Sequence, residues 1–334
     1  MLHASTFQPK GYTMIHASLA VMALALLPMP SWAEFYVRGT SRPIIGVLAQ
    51  EIPKAELLRY PDKSSYIPAS YVKAIESSGA RVVPIFIRRS QEYYERILKS
   101  VNGMVFPGGA VKFEDPNGYA AAGRMILNIV QQLQDSGVNF PILGVCQGYE
   151  LLMYLTSNST AEEDILVKCN SSNEALPLMF KVGYHQSRLY RFASKEIVEI
   201  LMTQPVTSNH HGYCVTEDML KFHKLEKVWR VLSTNKDMDG LEFISSSEQF
   251  QRPIVGVQFH PEKNMFEWNP KQANPHSRKA ILSARHFYDW LVMESRANDQ
   301  TFSSEQEEDN NLIYNYCPVF TGRKGGYDEQ VYIF

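Results

Sequence analysis

A short apolar strand that runs into an apolar helix through Gly144-Val145-Cys146-Gln147-Gly148 constrains this chain more than any other stretch of it. Pro141-Ile142-Leu143-Gly144-Val145 reads as a buried strand and Tyr149 to Leu155 as a helix. A G-x-C-x-G between them is the nucleophile-elbow pattern, with sulfur in place of oxygen. The turn is so tight that its flanking positions have to be glycine, and it lifts the Cys146 side chain clear of the sheet edge. The following helix then aims its free N–H groups and positive dipole end at the sulfur, an arrangement expected to favour thiolate. The N–H of Gln147 is placed to hold a tetrahedral oxyanion.

The rest of the chain supplies a sheet for that turn to rise from. Pro43 to Leu48, Arg81 to Ile87 and Gly103 to Phe106 read as further buried strands. Helical patterns cover Ser70 to Ser78, Gln91 to Lys99 and Ala120 to Gln134 between them. Strands alternating with helices are the mark of βαβ units and a largely parallel sheet. The second half reads as more antiparallel and irregular, with strands at Gly240 to Ser245 and Pro253 to Phe259 and a long helix from His276 to Glu294. The polar, acidic stretch from Asn298 to Asn311 reads as loosely held. The expected class is α/β, a three-layer sandwich around a central, mostly parallel sheet of flavodoxin-like type. With no internal repeat and no long linker, residues 34–334 form one domain.

Before it, Met14 to Leu27 is an apolar run too short to span a bilayer, which takes about 20 residues. Pro28 and Pro30 break it, and Ser31-Trp32-Ala33 offers small residues where a signal peptidase cleaves. Residues 1–33 therefore read as a secretory signal. Asn158-Ser159-Thr160 and Asn170-Ser171-Ser172 are N-glycosylation sequons in a polar stretch, Thr156 to Asn173, that reads as an exposed loop. No second apolar run follows, so no membrane association is expected once the signal is removed. With 33 Lys and Arg against 35 Asp and Glu, the net charge of −2 argues against a nucleic-acid partner.

A sulfur nucleophile needs a base. Phe259-His260-Pro261-Glu262 follows the strand at Pro253 to Phe259. Residues two apart on extended chain point the same way, so Glu262 can orient the His260 imidazole as the third member of a triad orients its base. Pro107-Gly108-Gly109 ends an earlier strand. Its glycines let a backbone N–H approach a substrate oxygen, with Gly109 the second oxyanion donor and Gly108 beside the substrate. All three motifs fall at carboxyl ends of strands, where open α/β sheets bind ligands. After Cys146, three cysteines remain (Cys169, Cys214 and Cys317), which allows at most one disulfide and does not choose the pair. None has zinc-ligand spacing, and no metal or organic cofactor is expected.

P-G-G, G-x-C-x-G and H-P-E in that order resemble the class I glutamine amidotransferase-like superfamily. Within it, Gly46 to Glu51, Tyr66 to Lys73, Gly144 to Glu150, Gly256 to Lys263 and Tyr327 to Phe334 look like the gamma-glutamyl hydrolase (folylpolyglutamate hydrolase) family. The resemblance implies a cysteine hydrolase that shortens poly-gamma-glutamyl folates and antifolates, in lysosomes or after secretion, as a homodimer. It implies Cys146 as nucleophile through a thioester, His260 as acid and base, and Glu262 as its orienting group. It also implies a substrate-side histidine in Asn209-His210-His211-Gly212, carried to His211 with His210 its neighbouring competitor, and Tyr66 in the substrate pocket. Glutaminase domains typically read G-x-C-x-G-x-Q. This chain has Glu150 in the last place, a substrate-side position that sets it apart from an amidotransferase-type glutaminase, the alternative enzyme. A non-catalytic binding homologue is the alternative of another class.

Overall fold

A computed structural model describes residues 39–157, 159 and 161–334. The expected signal, residues 1–33, and the sequon residue Asn158 lie outside the described residues. The central sheet runs in the order β4 (Arg81–Ile85), β1 (Ile44–Leu48), β5 (Gly103–Phe106), β6 (Ile142–Val145), β12 (Ile254–Val257), β11 (Glu242–Gln249), β10 (Trp229–Lys236) and β8 (Met179–Phe180). From β4 to β12 neighbours are parallel; from β12 to β8 they are antiparallel.

The parallel strands are apolar on both faces because both are covered. Ile44, Leu48, Met104, Phe106 and Ile142 pack with residues of α2 (Gln91–Leu98), α3 (Tyr119–Asp135) and α4 (Gln147–Thr156). Ile45, Val47, Val105, Leu143, Val145 and Val257 pack on the other side with α1 (Ala69–Ser77), α5 (Lys195–Thr203) and α6 (Arg278–Ser295). Each fully buried Val, Ile or Leu contributes about 1.5–3 kcal/mol, so two such cores fix the sheet as the middle of a three-layer α/β sandwich.

Two smaller sheets wall the carboxyl ends of these strands. One is antiparallel, in the order β13 (Val319–Phe320), β14 (Gln330–Ile333), β3 (Ser65–Pro68), β2 (Gln50–Glu51), and β2 continues almost directly from β1. The other is a ribbon of β7 (Val167–Leu176) and β9 (Thr207–Cys214).

Two sequence expectations change. The stretch 156–173 is not simply an exposed loop. Ile165 and Leu166 are buried and β7 starts at Val167, so Asn170 lies in a strand, half-buried, with its Nδ2 donating to Asp239 Oδ2 at 3.2 Å. The acidic tail is not loosely held either. Glu305–Asn311 forms α7, Glu308 pairs with Arg42 and Arg81, and Glu307 pairs with Arg96 at 2.9 Å. Asn298 is buried and its carbonyl accepts from Asn102 Nδ2 at 2.9 Å. The partners are more than 190 positions away in sequence, beyond the reach of any local pattern.

Candidate active site

Cys146 stands between the last residue of β6 and the first of α4, with φ 49° and ψ −113°. A non-glycine residue in that region is strained, and such strain persists only where the surroundings enforce it. Here they do: a Cβ on Gly148 would fall 1.8 Å from the Phe106 carbonyl oxygen, so α4 packs against β5 at a distance only glycine permits. The Gln147 N–H lies against the Cys146 sulfur and pulls its pKa down, but this is not enough. Burial pushes the thiol well up, and the carboxylate of Glu150, one turn along the same helix, adds to it. These effects oppose the thiolate expected from the helix terminus alone, so a sulfur nucleophile here needs a base close by.

Gly108 shows how close the expected base, His260, lies. A Cβ built there would come within 2.6 Å of His260 Cε1, 2.9 Å of the Tyr71 hydroxyl and 3.0 Å of Cys146 Cβ. The ends of β6 and β12 and the helix α1 thus bring these three side chains around one bare backbone position at the end of β5. Gly108 N–H donates to the Tyr71 hydroxyl at 2.8 Å, and that hydroxyl is 3.3 Å from His260 Nδ1. Gly109, next along, is exposed and packed against the Gln50 side chain. Gln147 holds the loop shut from the far side: its Oε1 accepts from Val111 N–H at 3.0 Å and its Nε2 donates to Val111 O at 2.6 Å.

His260 Nδ1 meets Glu262 Oε1 at 2.7 Å, both groups buried. The route differs from the expected extended chain. Glu262 has φ −64° and ψ −29° and opens the short helix Lys263–Phe266, because β12 ends at Val257 and the chain turns at Pro261. Burial works against the Glu262 charge, yet the His260 charge and hydrogen bond, with Lys263, bring its pKa below the usual value. The His260 backbone N–H donates to Ser208 O at 2.8 Å, tying β9 to the site.

On β9 the two histidines part company, as successive strand residues must. The ring of His210 lies 5.9 Å from that of His260, and its Nε2 meets Asn274 Oδ1 at 2.8 Å. His211 is buried, its Nδ1 3.0 Å from the Tyr213 carbonyl oxygen and its Nε2 3.2 Å from the Asn209 amide oxygen. Desolvation and the nearby His260 lower both, to about 4 for His210 and about 3 for His211. By ring contact, His210 rather than His211 is the neighbour of His260. Tyr66 is buried in β3 opposite Gln50. With Glu51, Ala110, Val111 and Lys112 it lines a cavity of about 330 Å³ beside the Gly109 loop. Glu150 is buried under the elbow, accepts from Gln258 Nε2 at 2.7 Å, and is raised by desolvation to about 7.

Residues 43–262 match the peptidase C26 family model, which spans all three motifs. The chain belongs to the peptidase C26 family. Its curated relatives are gamma-glutamyl hydrolases. The rat enzyme is 36% identical over 94% of this chain and 96% of its own length. The human enzyme is 37% identical over 88% and 90%, and gamma-glutamyl hydrolase B of Dictyostelium discoideum 35% over 87% and 83%. The family is a class I glutamine amidotransferase-like group of cysteine peptidases.

Two residues of this peptidase C26 site escaped the sequence reading. Tyr71 and Tyr288 lie on the inward faces of α1 and α6, where helical spacing reads them as core. Both phenols are buried, and Tyr288 donates to Glu262 Oε2 at 3.3 Å. A buried tyrosine hydroxyl needs a partner. Two tyrosines on core faces were the available signal, but sequence does not say which polar group each would meet.

Proposed function

We propose that this chain hydrolyses the gamma-glutamyl amide bonds of poly-gamma-glutamyl folates and antifolates through a thioester on Cys146. The observation that carries the reading is the convergence of Cys146 and the His260–Glu262 pair on Gly108, in a chain of the peptidase C26 family. With Nδ1 of His260 engaged by Glu262, Nε2 takes the proton of the thiol, which burial otherwise keeps neutral. The sulfur adds to the gamma-carbonyl, and the oxyanion is held by the N–H groups of Gln147 and Gly109. The Gly108 N–H is already given to Tyr71, which leaves the second donation to Gly109. His260 returns its proton to the leaving amine. Water, deprotonated by the same imidazole, then opens the thioester and restores the thiol.

Tyr66, Gly108 and a histidine of β9, His211 or the better-placed His210, line the substrate side, whereas Glu150, also expected there, lies buried beneath the elbow. Lys263 Nζ is buried, lies 3.2 Å from Asp328 and sits 4.5 Å over the Tyr327 ring, a cation beside the catalytic pair that suits an anionic substrate. The same reading takes residues 34–334 as one catalytic domain, a secretory signal over 1–33, glycans on Asn158 and Asn170, a homodimer, and a lysosomal or extracellular location. These rest on the sequence features and the resemblance.

The test is hydrolysis of folate pentaglutamate beside free glutamine, with folates resolved by chain length. Shortened folates without ammonia from glutamine support the proposal. Ammonia without folate cleavage makes the chain a glutaminase. Folate binding with neither reaction makes it a non-catalytic binder.

A further inference from the structure

Cys169 and Cys214 take no part in the site above. They lie on the two strands of the β7–β9 ribbon, where Val167 faces Cys214 and Lys168 faces Tyr213. Cys169 is two residues on from Val167, so its side chain leaves the ribbon on the face Cys214 occupies. Diagonal neighbours of this kind stand about 7–8 Å apart in a regular ladder. Here the register shifts between Lys168 and Ser171, and such a bulge bends and twists the strand locally. Cys169, together with burial, pushes the Cys214 thiol up.

The surroundings fit a pair that reacts in order. Cys214 is buried and Cys169 half-exposed, so a small oxidant reaches Cys169 first. His211 Nδ1 lies 3.0 Å from the Tyr213 carbonyl oxygen. The same nitrogen lies 3.4 Å from the Cys169 sulfur. The other thiols are apart: Cys146 is in the elbow, and Cys317 is exposed near β13.

We propose that Cys169 and Cys214 are a redox pair that closes into a disulfide stapling β7 to β9. The Cys169 thiolate attacks a small-molecule disulfide such as oxidised glutathione, expelling one glutathione thiolate and forming a mixed disulfide. Cys214, losing its proton, attacks the Cys169 sulfur and expels the second. Two protein thiols are oxidised, one glutathione disulfide is reduced to two thiols, and no other reactant is needed. Because β9 carries His210 and holds the His260 backbone through Ser208, the staple ties down one wall of the site.

The test is a peptide map of the full chain, equilibrated with oxidised glutathione and alkylated under denaturing conditions before digestion. The expected result is a cross-linked peptide joining Cys169 to Cys214, the loss of two alkylated thiols, and reversal by dithiothreitol. Amide exchange across 167–176 and 207–214 should be slower in the oxidised than in the reduced protein, and Cys169→Ser should abolish that difference. Recovery of both cysteines fully alkylated overturns the proposal, as does pairing of either with Cys317. The map uses the unsubstituted protein, so it decides the matter whether or not the variant folds.

Discussion

Replacing Glu150 by glutamine should change stability in a way that depends on pH, and the structure supplies the size. The carboxyl is buried, accepts one hydrogen bond from Gln258, and is carried by desolvation from its ordinary 4.5 to about 7. The folded chain therefore keeps this proton over a range where the unfolded chain has lost it. Its contribution to stability is greatest below pH 4.5 and is lost as pH rises through 7. At 1.36 kcal/mol per pH unit, the loss amounts to about 3 kcal/mol. Glutamine has the same shape and no charge. Its amide can serve Gln258, whose buried Oε1 has no hydrogen-bond partner among the described residues. In urea unfolding followed by tryptophan fluorescence, Glu150→Gln should match the parent at pH 4.5 and exceed it by about 3 kcal/mol at pH 8.5. Because the Glu150 charge also raises the Cys146 thiol, iodoacetamide should alkylate Cys146 faster in the variant at pH 8.5. Equal stability at pH 8.5, or a difference already complete at pH 4.5, would refute the argument.

The His260–Glu262 pair gives further expectations. Glu262→Gln leaves the imidazole without its charged partner and should lower kcat by roughly 10³- to 10⁴-fold, read in steady-state hydrolysis of a gamma-glutamyl substrate. Tyr288→Phe removes the second hydrogen bond to Glu262, and a loss of about tenfold in kcat with little change in KM is expected. Gly108→Ala places a methyl against His260 and Cys146. Circular dichroism should report an intact fold while kcat falls by about 10²-fold or more.

The layers of the fold were legible because the parallel strands are apolar on both faces and the elbow needs its glycines. Those are local constraints, written in consecutive residues such as Ile142 to Gly148. What stayed hidden depended on distant partners or on balances between opposing effects. The anchoring of α7 relies on Arg42, Arg81 and Arg96, and the tyrosines around His260 and Glu262 come from helices read as core. For Cys146 the helix terminus is visible in sequence, whereas the burial that works against its thiolate is not. His210 and His211 are adjacent, and only the register of β9 with β7 and its tie to His260 decide which of them faces the site.

The central claim is that Cys146 carries the acyl group. Rapid acid quench of the full chain turning over folate pentaglutamate, followed by peptide mass spectrometry, tests it directly. The account predicts a gamma-glutamyl thioester on the peptide containing Cys146, absent from Cys146→Ala, which should fold normally and show no turnover. Turnover that survives in Cys146→Ala, or an acyl group on any other residue, would contradict it.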